Sequence, residues 1–146
     1  KYGFLYNIEL SRLDELQAGI LNVKLNELDK WNDYRKTIAE RYLKEIKNKQ
    51  IILPVVSVEN EHIWHLFVIR TKHRDELQKY LSENGIDTGI HYPVAIHKQK
   101  AYKELNSQKF ELAERFANEV LSLPMYYGMT KKEQDYVIKK INDFNM

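Results

Sequence analysis

The sequence has 146 residues, 43% hydrophobic and 30% charged, which suits one globular domain and argues against disordered and fibrous classes. Its 23 Lys and Arg residues nearly balance its 21 Asp and Glu residues, and the net charge of +2 argues against a dedicated nucleic-acid-binding protein. The chain contains no cysteine, which excludes disulfides, cysteine-ligated metals and a thiol nucleophile.

The first strong local signal is the string SRLD at 11–14, a capping box in which side-chain oxygens satisfy the free N–H groups of a helix's first turn. Apolar residues then recur at spacings of three and four as far as Ile46. We therefore predict one long or once-bent helix over about 12–47. Such a length indicates a connecting spine or a helix packed against another body.

Three later stretches, 51–56, 63–69 and 87–92, are rich in strand-forming residues. Pro54 cannot donate to a strand ladder, so the first is predicted to be an edge or irregular strand. Helical spacing over 75–84, followed by Gly85, predicts a helix between the second and third. The predicted order is strand, strand, helix, strand. The apolar stretches are too short to span a membrane, and no secretory signal begins the sequence, so we expect a cytoplasmic protein.

The last third is predicted to form short helices over about 97–105, 110–121 and 131–144. Pro124 follows the second, and a capping box formed by Thr130 and Glu133 precedes the third. Together these elements predict an α+β fold, in which a long N-terminal helix leads into a small, mostly antiparallel sheet covered by helices.

Two histidines, His91 and His97, bracket a loop at the end of the third predicted strand, and such loops commonly line binding sites. Their spacing alone leaves a functional and an ordinary structural role open. His62 and His65 are predicted to point to opposite faces of a strand, where they could not share a metal, and we expect no metal site. Arg12 opposes the dipole of its predicted helix, which either anion recognition or solvent exposure explains.

A series of short strings occurs in a specific order: SRLDELQA (11–18), KL (24–25), Trp31 with Arg35, WHLFVI (64–69), RDEL (74–77), GIDTGIHYP (85–93), HKQ (97–99) and LSLP (121–124). In this order the strings resemble the C-terminal part of the DegT/DnrJ family of pyridoxal-phosphate-dependent sugar aminotransferases. The resemblance covers nearly the whole chain from Ser11 onward.

The resemblance implies the small C-terminal domain of a fold-type-I aminotransferase, with the large cofactor-binding domain lying outside this sequence. Residues 1–10 would form a connecting segment, 11–47 an interdomain helix and 48–146 the small domain. In such enzymes the large domain supplies the lysine that forms a Schiff base with pyridoxal phosphate, and no lysine here has the matching context. The chain alone is therefore expected to be inactive and not to bind pyridoxal phosphate.

The resemblance also implies a role for the segment before the long helix. Arg12 aligns with the arginine of an Asn-x-Arg motif that holds anionic groups of cofactor or substrate in the neighbouring subunit. Leu10 stands at the Asn position and Ile8 at the preceding Gly. Either the segment has diverged or Asn7 serves from a shifted register.

The family's His-Tyr-Pro turn, which faces the substrate pocket, matches His91 and Tyr92. We expect His91 to orient the substrate or cofactor side of the site, with Tyr92 and His97 in support. The implied reaction transfers an amino group from glutamate to a nucleotide-linked keto sugar, for surface polysaccharide or lipopolysaccharide synthesis. A homodimer is implied, with no nucleic-acid or membrane partner. The alternative is a non-catalytic binding or regulatory module derived from this fold.

Overall fold

The structure is a computed structural model that describes residues 13–57 and 59–145. Within these residues the chain forms α-helices, two strands and short 3₁₀-helices. In chain order they are α1 (Glu15–Leu25), α2 (Leu28–Glu45), β1 (Phe67–Arg70), α3 (Arg74–Glu83), 3₁₀-helices at Ile96–Lys98 and Lys100–Leu105, α4 (Glu111–Glu119), β2 (Val120–Leu123) and α5 (Lys131–Asp143). No helix in the described ranges is both long enough and apolar enough to cross a membrane.

The sheet is small and antiparallel. Strands β1 and β2 pair in a register that places Val68 opposite Ser122. A single bridge on each side extends the pairing, from Ile52 to Arg70 and from Gly89 to Ser122. Four chain segments thus lie side by side, with β2 between β1 and the residue-89 segment. The predicted α+β class with an antiparallel sheet is confirmed.

The predicted strands are shorter in the structure than the sequence indicated. The stretches 51–56 and 87–92 contribute only the isolated bridges at Ile52 and Gly89, and the first lies beside Pro54, which has no N–H to donate. The stretch 63–69 is extended only from Phe67, because Trp64 has a φ of 59°, a left-handed conformation that a strand cannot continue through. The strand placement of His62 and His65 is therefore wrong.

Strand β2 was not predicted, and its first residues were assigned to a helix over 110–121. The helix α4 ends at Glu119 and the chain passes directly into β2. Residues Leu121, Ser122 and Leu123 are all buried, so β2 lacks the alternation of apolar and polar side chains that marks a half-exposed strand. A short apolar run of this kind is indistinguishable from a helix turn by periodicity.

The N-terminal helix differs from its prediction in start and continuity. It begins at Glu15 instead of Arg12, and its N-cap is Asp14, whose side chain accepts a hydrogen bond of 2.7 Å from the Gln17 N–H. Ser11, the expected cap, lies outside the described residues. The segment predicted as one long or once-bent helix is two helices, α1 and α2, separated at residues 26–27. None of the residues of α1 is buried.

Helix boundaries later in the chain follow the sequence more closely. Thr130 and Glu133 form the predicted capping box at the start of α5, with both reciprocal hydrogen bonds present. Gly85 follows the end of α3 with the expected positive φ of 71°. The helix predicted over 97–105 is instead a pair of 3₁₀-helices separated by the extended Gln99, and the second has a kink at the non-helical backbone of Tyr102.

The core lies where α2, α3 and α5 cover the sheet. Tyr42 of α2 stacks edge-on against Phe67 of β1 with ring centroids 5.1 Å apart, and its hydroxyl donates to the Pro124 carbonyl at 2.9 Å. Burial raises the pKa of the Tyr42 hydroxyl. The other fully enclosed apolar side chains come from these elements and from the loop before α5: Ile38, Ala39, Ile69, Leu77, Leu81, Leu121, Met129 and Ile141.

Candidate functional site

The candidate site is built on the bridge between Gly89 and Ser122. The two residues exchange both backbone hydrogen bonds, from Gly89 N to Ser122 O at 3.1 Å and from Ser122 N to Gly89 O at 2.7 Å. Ser122 is also paired with Val68 on its other side, so it sits at the centre of the sheet. His91 and Tyr92 follow Gly89 closely in the chain, so the sheet holds the start of their turn in place.

The His91 side chain is exposed but held at one ring nitrogen. Its Nδ1 lies 3.0 Å from the Oγ of Ser122, whose own side chain is buried. No hydrogen-bond partner for the other nitrogen, Nε2, occurs among the described residues. The Nδ1 edge of the ring is thus held by the sheet. The Nε2 edge is available to a molecule or chain outside the described residues.

Gly89 leaves the space in which the His91 ring packs against the backbone. A Cβ atom on residue 89 would lie 2.5 Å from Cε1 of His91, closer than any ordinary contact. The ring therefore occupies space that only glycine leaves open. The second glycine of the GIDTGIHYP string has a steric reason to be there.

Tyr92 is the neighbour of His91 and is 62% exposed. Its ring meets the His91 ring edge-on, with centroids 5.9 Å apart. The structure gives it no other ring or hydrogen-bond partner in the described part of the chain. The two predicted site residues on this turn are thus together and exposed, as a binding surface requires.

His97, the third residue expected at this site, is in a different environment. It is 4% exposed, and its Nε2–H donates to the Glu114 carboxylate at 2.8 Å. The ring packs edge-on against Phe110 at 4.9 Å. These contacts fasten the 3₁₀-helix at Ile96–Lys98 to α4, so the structure gives His97 a packing role and joins it to neither His91 nor Tyr92.

The hydrogen bond from His97 changes the acidity of its partner. Together with the backbone N–H of Phe110, it lowers the pKa of the Glu114 carboxyl below its ordinary value. A nearby ammonium group, that of Lys98 at 3.8 Å, acts in the same direction. Glu114 therefore stays ionised near neutral pH, and its contact with His97 holds the 3₁₀-helix at Ile96–Lys98 against α4.

The remaining predicted site residue, Arg12, lies outside the described residues. The same is true of Leu10, Ile8 and Asn7, the positions that bear on the family's Asn-x-Arg motif. The role of this segment stays a prediction from the resemblance.

Sequence reasoning did not single out Ser122 or Gly89 as site residues. The available signal was a hydroxyl residue between two leucines in the LSLP string, since a polar side chain inside an apolar strand needs a buried partner. That the partner is His91, 31 residues away, follows only from the pairing of the two segments.

A separate groove of about 620 Å³ lies beside α2. Arg35 shapes its edge by donating to the His65 carbonyl at 2.9 Å and the Trp64 carbonyl at 3.4 Å. The predicted site residues that the structure describes, His91, Tyr92 and His97, do not line the groove. Its lining consists of Leu28, Trp31, Asn32, Arg35, Ile63, His65 and Tyr127.

The lysines of the described residues are all at least partly exposed, so none lies in the enclosed setting that lowers a lysine pKa and suits it to a Schiff base. Nor do the described ranges contain a group of three or more residues able to hold a metal ion. What this part of the chain offers is the exposed His91 and Tyr92 pair on a rigid sheet.

The chain belongs to the DegT/DnrJ/EryC1/StrS aminotransferase family, whose model matches residues 7–142. It is 46% identical, over 99% of its length, to a dTDP-3-amino-3,6-dideoxy-α-D-galactopyranose transaminase of Aneurinibacillus thermoaerophilus. It is 40% identical, over 92% of its length, to a dTDP-3-amino-3,4,6-trideoxy-α-D-glucose transaminase of Streptomyces venezuelae. The chain spans 40% and 36% of these two curated relatives.

Solved structures agree with this assignment. The chain resembles S. venezuelae DesV, solved in complex with a ketimine intermediate, with a TM-score of 0.84 and 39% identity over 90% of this chain and 36% of that one. It resembles Bacillus subtilis NtdA, solved with bound cofactor PMP, with a TM-score of 0.77 and 30% identity over 86% of this chain and 31% of that one. The resemblance of the sequence to the aminotransferase family is confirmed.

Proposed function

We propose that this chain is the C-terminal part of a pyridoxal-phosphate-dependent aminotransferase that transfers an amino group from glutamate to a nucleotide-linked keto sugar. The observation that carries the proposal is the 46% identity to a dTDP-sugar transaminase across 99% of the chain. An amino sugar made in this way would enter surface polysaccharide or lipopolysaccharide synthesis. The parent protein is proposed to be a cytoplasmic homodimer, and the isolated chain to be inactive.

Within this enzyme, the part of the chain that we describe supplies substrate contacts instead of the reacting lysine. We expect His91 and Tyr92 to face the substrate, and their exposure side by side on a turn next to the sheet supports this. Arg12 contributes a cation toward anionic groups of cofactor or substrate in the neighbouring subunit. His97 holds the 3₁₀-helix that follows this turn in the chain against α4 through its hydrogen bond to Glu114.

Pyridoxal phosphate, held mainly by the rest of the parent protein, supplies the electron sink that stabilises a carbanion next to the nitrogen. The residues of this chain orient the sugar nucleotide and exclude water from one side of the cleft. Orientation by a rigid support contributes to rate because the reacting groups are held near their productive geometry.

A second candidate function is a regulatory module with the same fold. Two relatives carry names of this kind: the erythromycin biosynthesis sensory transduction protein EryC1 of Saccharopolyspora erythraea, 44% identical, and a pleiotropic regulatory protein of Geobacillus stearothermophilus, 40% identical. Leu10 in place of the family asparagine also fits lost catalysis.

Absorbance spectroscopy of the full-length parent protein separates the two candidates. An aminotransferase incubated with pyridoxal phosphate and dialysed should keep the absorbance of a protein-bound Schiff base, and glutamate should convert it to the pyridoxamine form. The isolated 146-residue chain is the control and should keep no cofactor. A parent protein that also retains none would contradict the enzymatic proposal and favour the regulatory module.

A further inference from the structure

The hydroxyl group of Ser122 has a single described partner. The residue is 4% exposed and lies between two strand neighbours, and its Oγ is 3.0 Å from Nδ1 of His91. No other hydrogen bond of this hydroxyl occurs in the described part of the chain. The direction of this one bond therefore decides whether the hydroxyl proton is satisfied.

Only one direction satisfies both groups. A serine hydroxyl has one proton to donate and lone pairs to accept, whereas a neutral imidazole has one N–H and one bare nitrogen. If Nδ1–H donated to Oγ, the serine proton would be left in a buried place without an acceptor, which costs free energy. If Oγ–H donates to Nδ1, the serine proton is satisfied and the imidazole proton resides on Nε2.

We infer that Ser122 is a positioning residue that donates to Nδ1 of His91, holds the neutral ring in its Nε2–H form, and so presents a hydrogen-bond donor to an acceptor oxygen of the bound ligand. The ligand class rests on the proposed function: the hydroxyl, carbonyl or phosphate oxygens of a sugar nucleotide are such acceptors. In this form Nε2 has no lone pair available, so His91 binds and orients and does not remove a proton.

Gly89 also positions the His91 ring, because it leaves room for the ring to reach Ser122. The His91 ring reaches Ser122 only because residue 89 lacks a Cβ atom, which would stand 2.5 Å from Cε1 and 3.2 Å from Nδ1. The ring is the free end of an exposed side chain and can swing outward, so an alanine here displaces the ring and spares the backbone bridge. Gly89→Ala therefore breaks the hydrogen bond between His91 and Ser122 without changing the serine itself.

Nitrogen NMR of the 146-residue chain tests the inference directly. In ¹⁵N-histidine-labelled protein above the pH where His91 is charged, Nδ1 should resonate as a bare nitrogen and Nε2 as a protonated one. The chain has five histidines, and the signals absent from a His91→Gln variant identify this residue. A protonated Nδ1 in the unmodified chain would overturn the inference.

Two variants and one control complete the test. Ser122→Ala and Gly89→Ala should each move the Nδ1 resonance toward the protonated position, because both ring forms become populated once the donor is lost. The exposed Ser107→Ala, whose side chain lies outside this network, should leave the spectrum of His91 unchanged. If Ser122→Ala does not fold, Gly89→Ala decides. An unchanged Nδ1 signal in the folded variants would contradict the inference.

The catalytic consequence is measured separately in the parent enzyme. Loss of one oriented hydrogen bond to the ligand should raise KM for the sugar nucleotide about three- to tenfold in Ser122→Ala and Gly89→Ala, with kcat nearly unchanged. An effect on kcat alone would contradict a binding role. Absence of any amino transfer by the unmodified parent would contradict the proposed function, whereas the NMR result tests the hydrogen-bond direction regardless of activity.

Discussion

His91 and His97 are six positions apart and have opposite environments. His91 is exposed and tied to the sheet at Nδ1, whereas His97 is buried and donates to the Glu114 carboxylate. The sequence left a functional and a structural role open for both, because spacing alone does not reveal the partner of a side chain. The structure separates them by exposure: the His91 ring is accessible to a ligand at Nε2, which has no partner among the described residues, whereas the His97 ring is buried.

At His91, the first prediction concerns the donor atom. In the parent enzyme, His91→Ala should lower kcat/KM for the sugar nucleotide about tenfold, the cost of one hydrogen bond to the ligand. His91→Gln should retain most of that activity, because its amide can supply a donor near the position of Nε2. Steady-state kinetics of the two variants tests this. Equal losses would contradict the donor role.

At Glu114, the second prediction concerns pH. Because its pKa is lowered in the folded chain, ionised Glu114 stabilises the fold above its ordinary pKa of about 4.5 and loses that contribution as the pH falls through the lowered value. Urea unfolding of the chain should show stability flat from about pH 7 to about 5 and falling below that range.

The matched variants for this pH test are Glu114→Gln and Glu111→Gln, which lie on the same helix. Glu114→Gln should make the acid limb of the stability curve shallower and not abolish it, because Glu61 and Glu133 also have lowered carboxyl pKa values and still titrate. Glu111 is exposed, so its variant should keep the original profile. Identical profiles in the two variants would show that the contact with His97 does not drive the pH dependence.

Among the elements, α1 stands apart from the rest of the fold. Its 11 residues include none that is buried, and Leu16 and Val23 are 76% and 71% exposed. A helix of fewer than about 12–15 residues is marginal in water without packing. Helix α2, the other half of the predicted spine, is anchored by Ile38, Ala39 and Tyr42.

The third prediction follows from this contrast. In hydrogen exchange of the isolated chain, the amides of α1 should exchange far faster than those of α2 and the two strands, which face the core. In the parent protein the same amides should be protected, since exposed apolar side chains of α1 such as Leu16 and Val23 would then be covered. Protection of α1 in the isolated chain equal to that of α2 would contradict the exposure that we describe.

The fourth prediction concerns the capping box of α5. Thr130→Ala should lower the free energy of unfolding by about 1 kcal/mol, because it removes the acceptor for the Glu133 N–H at the helix start. Thr37→Ala, at an exposed position inside α2, is the control and should change stability little. Urea unfolding of both variants measures the difference. Equal effects would mean that the cap contributes nothing specific.

Helix ends that depend on neighbouring residues were predicted well. Strands that depend on pairing with distant residues were predicted poorly. The capping box of α5 and the glycine after α3 depend on neighbouring residues, and both were found. Strand β2 was missed because both of its faces are buried. The break between α1 and α2 has no proline or glycine to mark it, and the strand expected from residue 63 starts late because of the left-handed backbone at Trp64.

For the molecule as a whole, the short sequence strings in their order indicated the aminotransferase family. The family match over residues 7–142 confirmed it. The turn with His91 and Tyr92 was predicted from those strings, yet Ser122 and Gly89 entered only with the structure. No periodicity connects residues 89 and 122, because their pairing depends on how the sheet assembles. The site is therefore a property of the fold and not of any one motif.

Our central proposal is that this chain is the substrate-orienting part of a sugar aminotransferase. Its most direct test is nitrogen transfer by the full-length parent protein with pyridoxal phosphate, ¹⁵N-labelled glutamate and a dTDP-linked 3-keto sugar. The account predicts ¹⁵N in the nucleotide sugar for the parent, a reduced rate for its His91→Ala variant and none for the isolated chain. A full-length protein that retains pyridoxal phosphate but transfers no label to any nucleotide-linked keto sugar would contradict it.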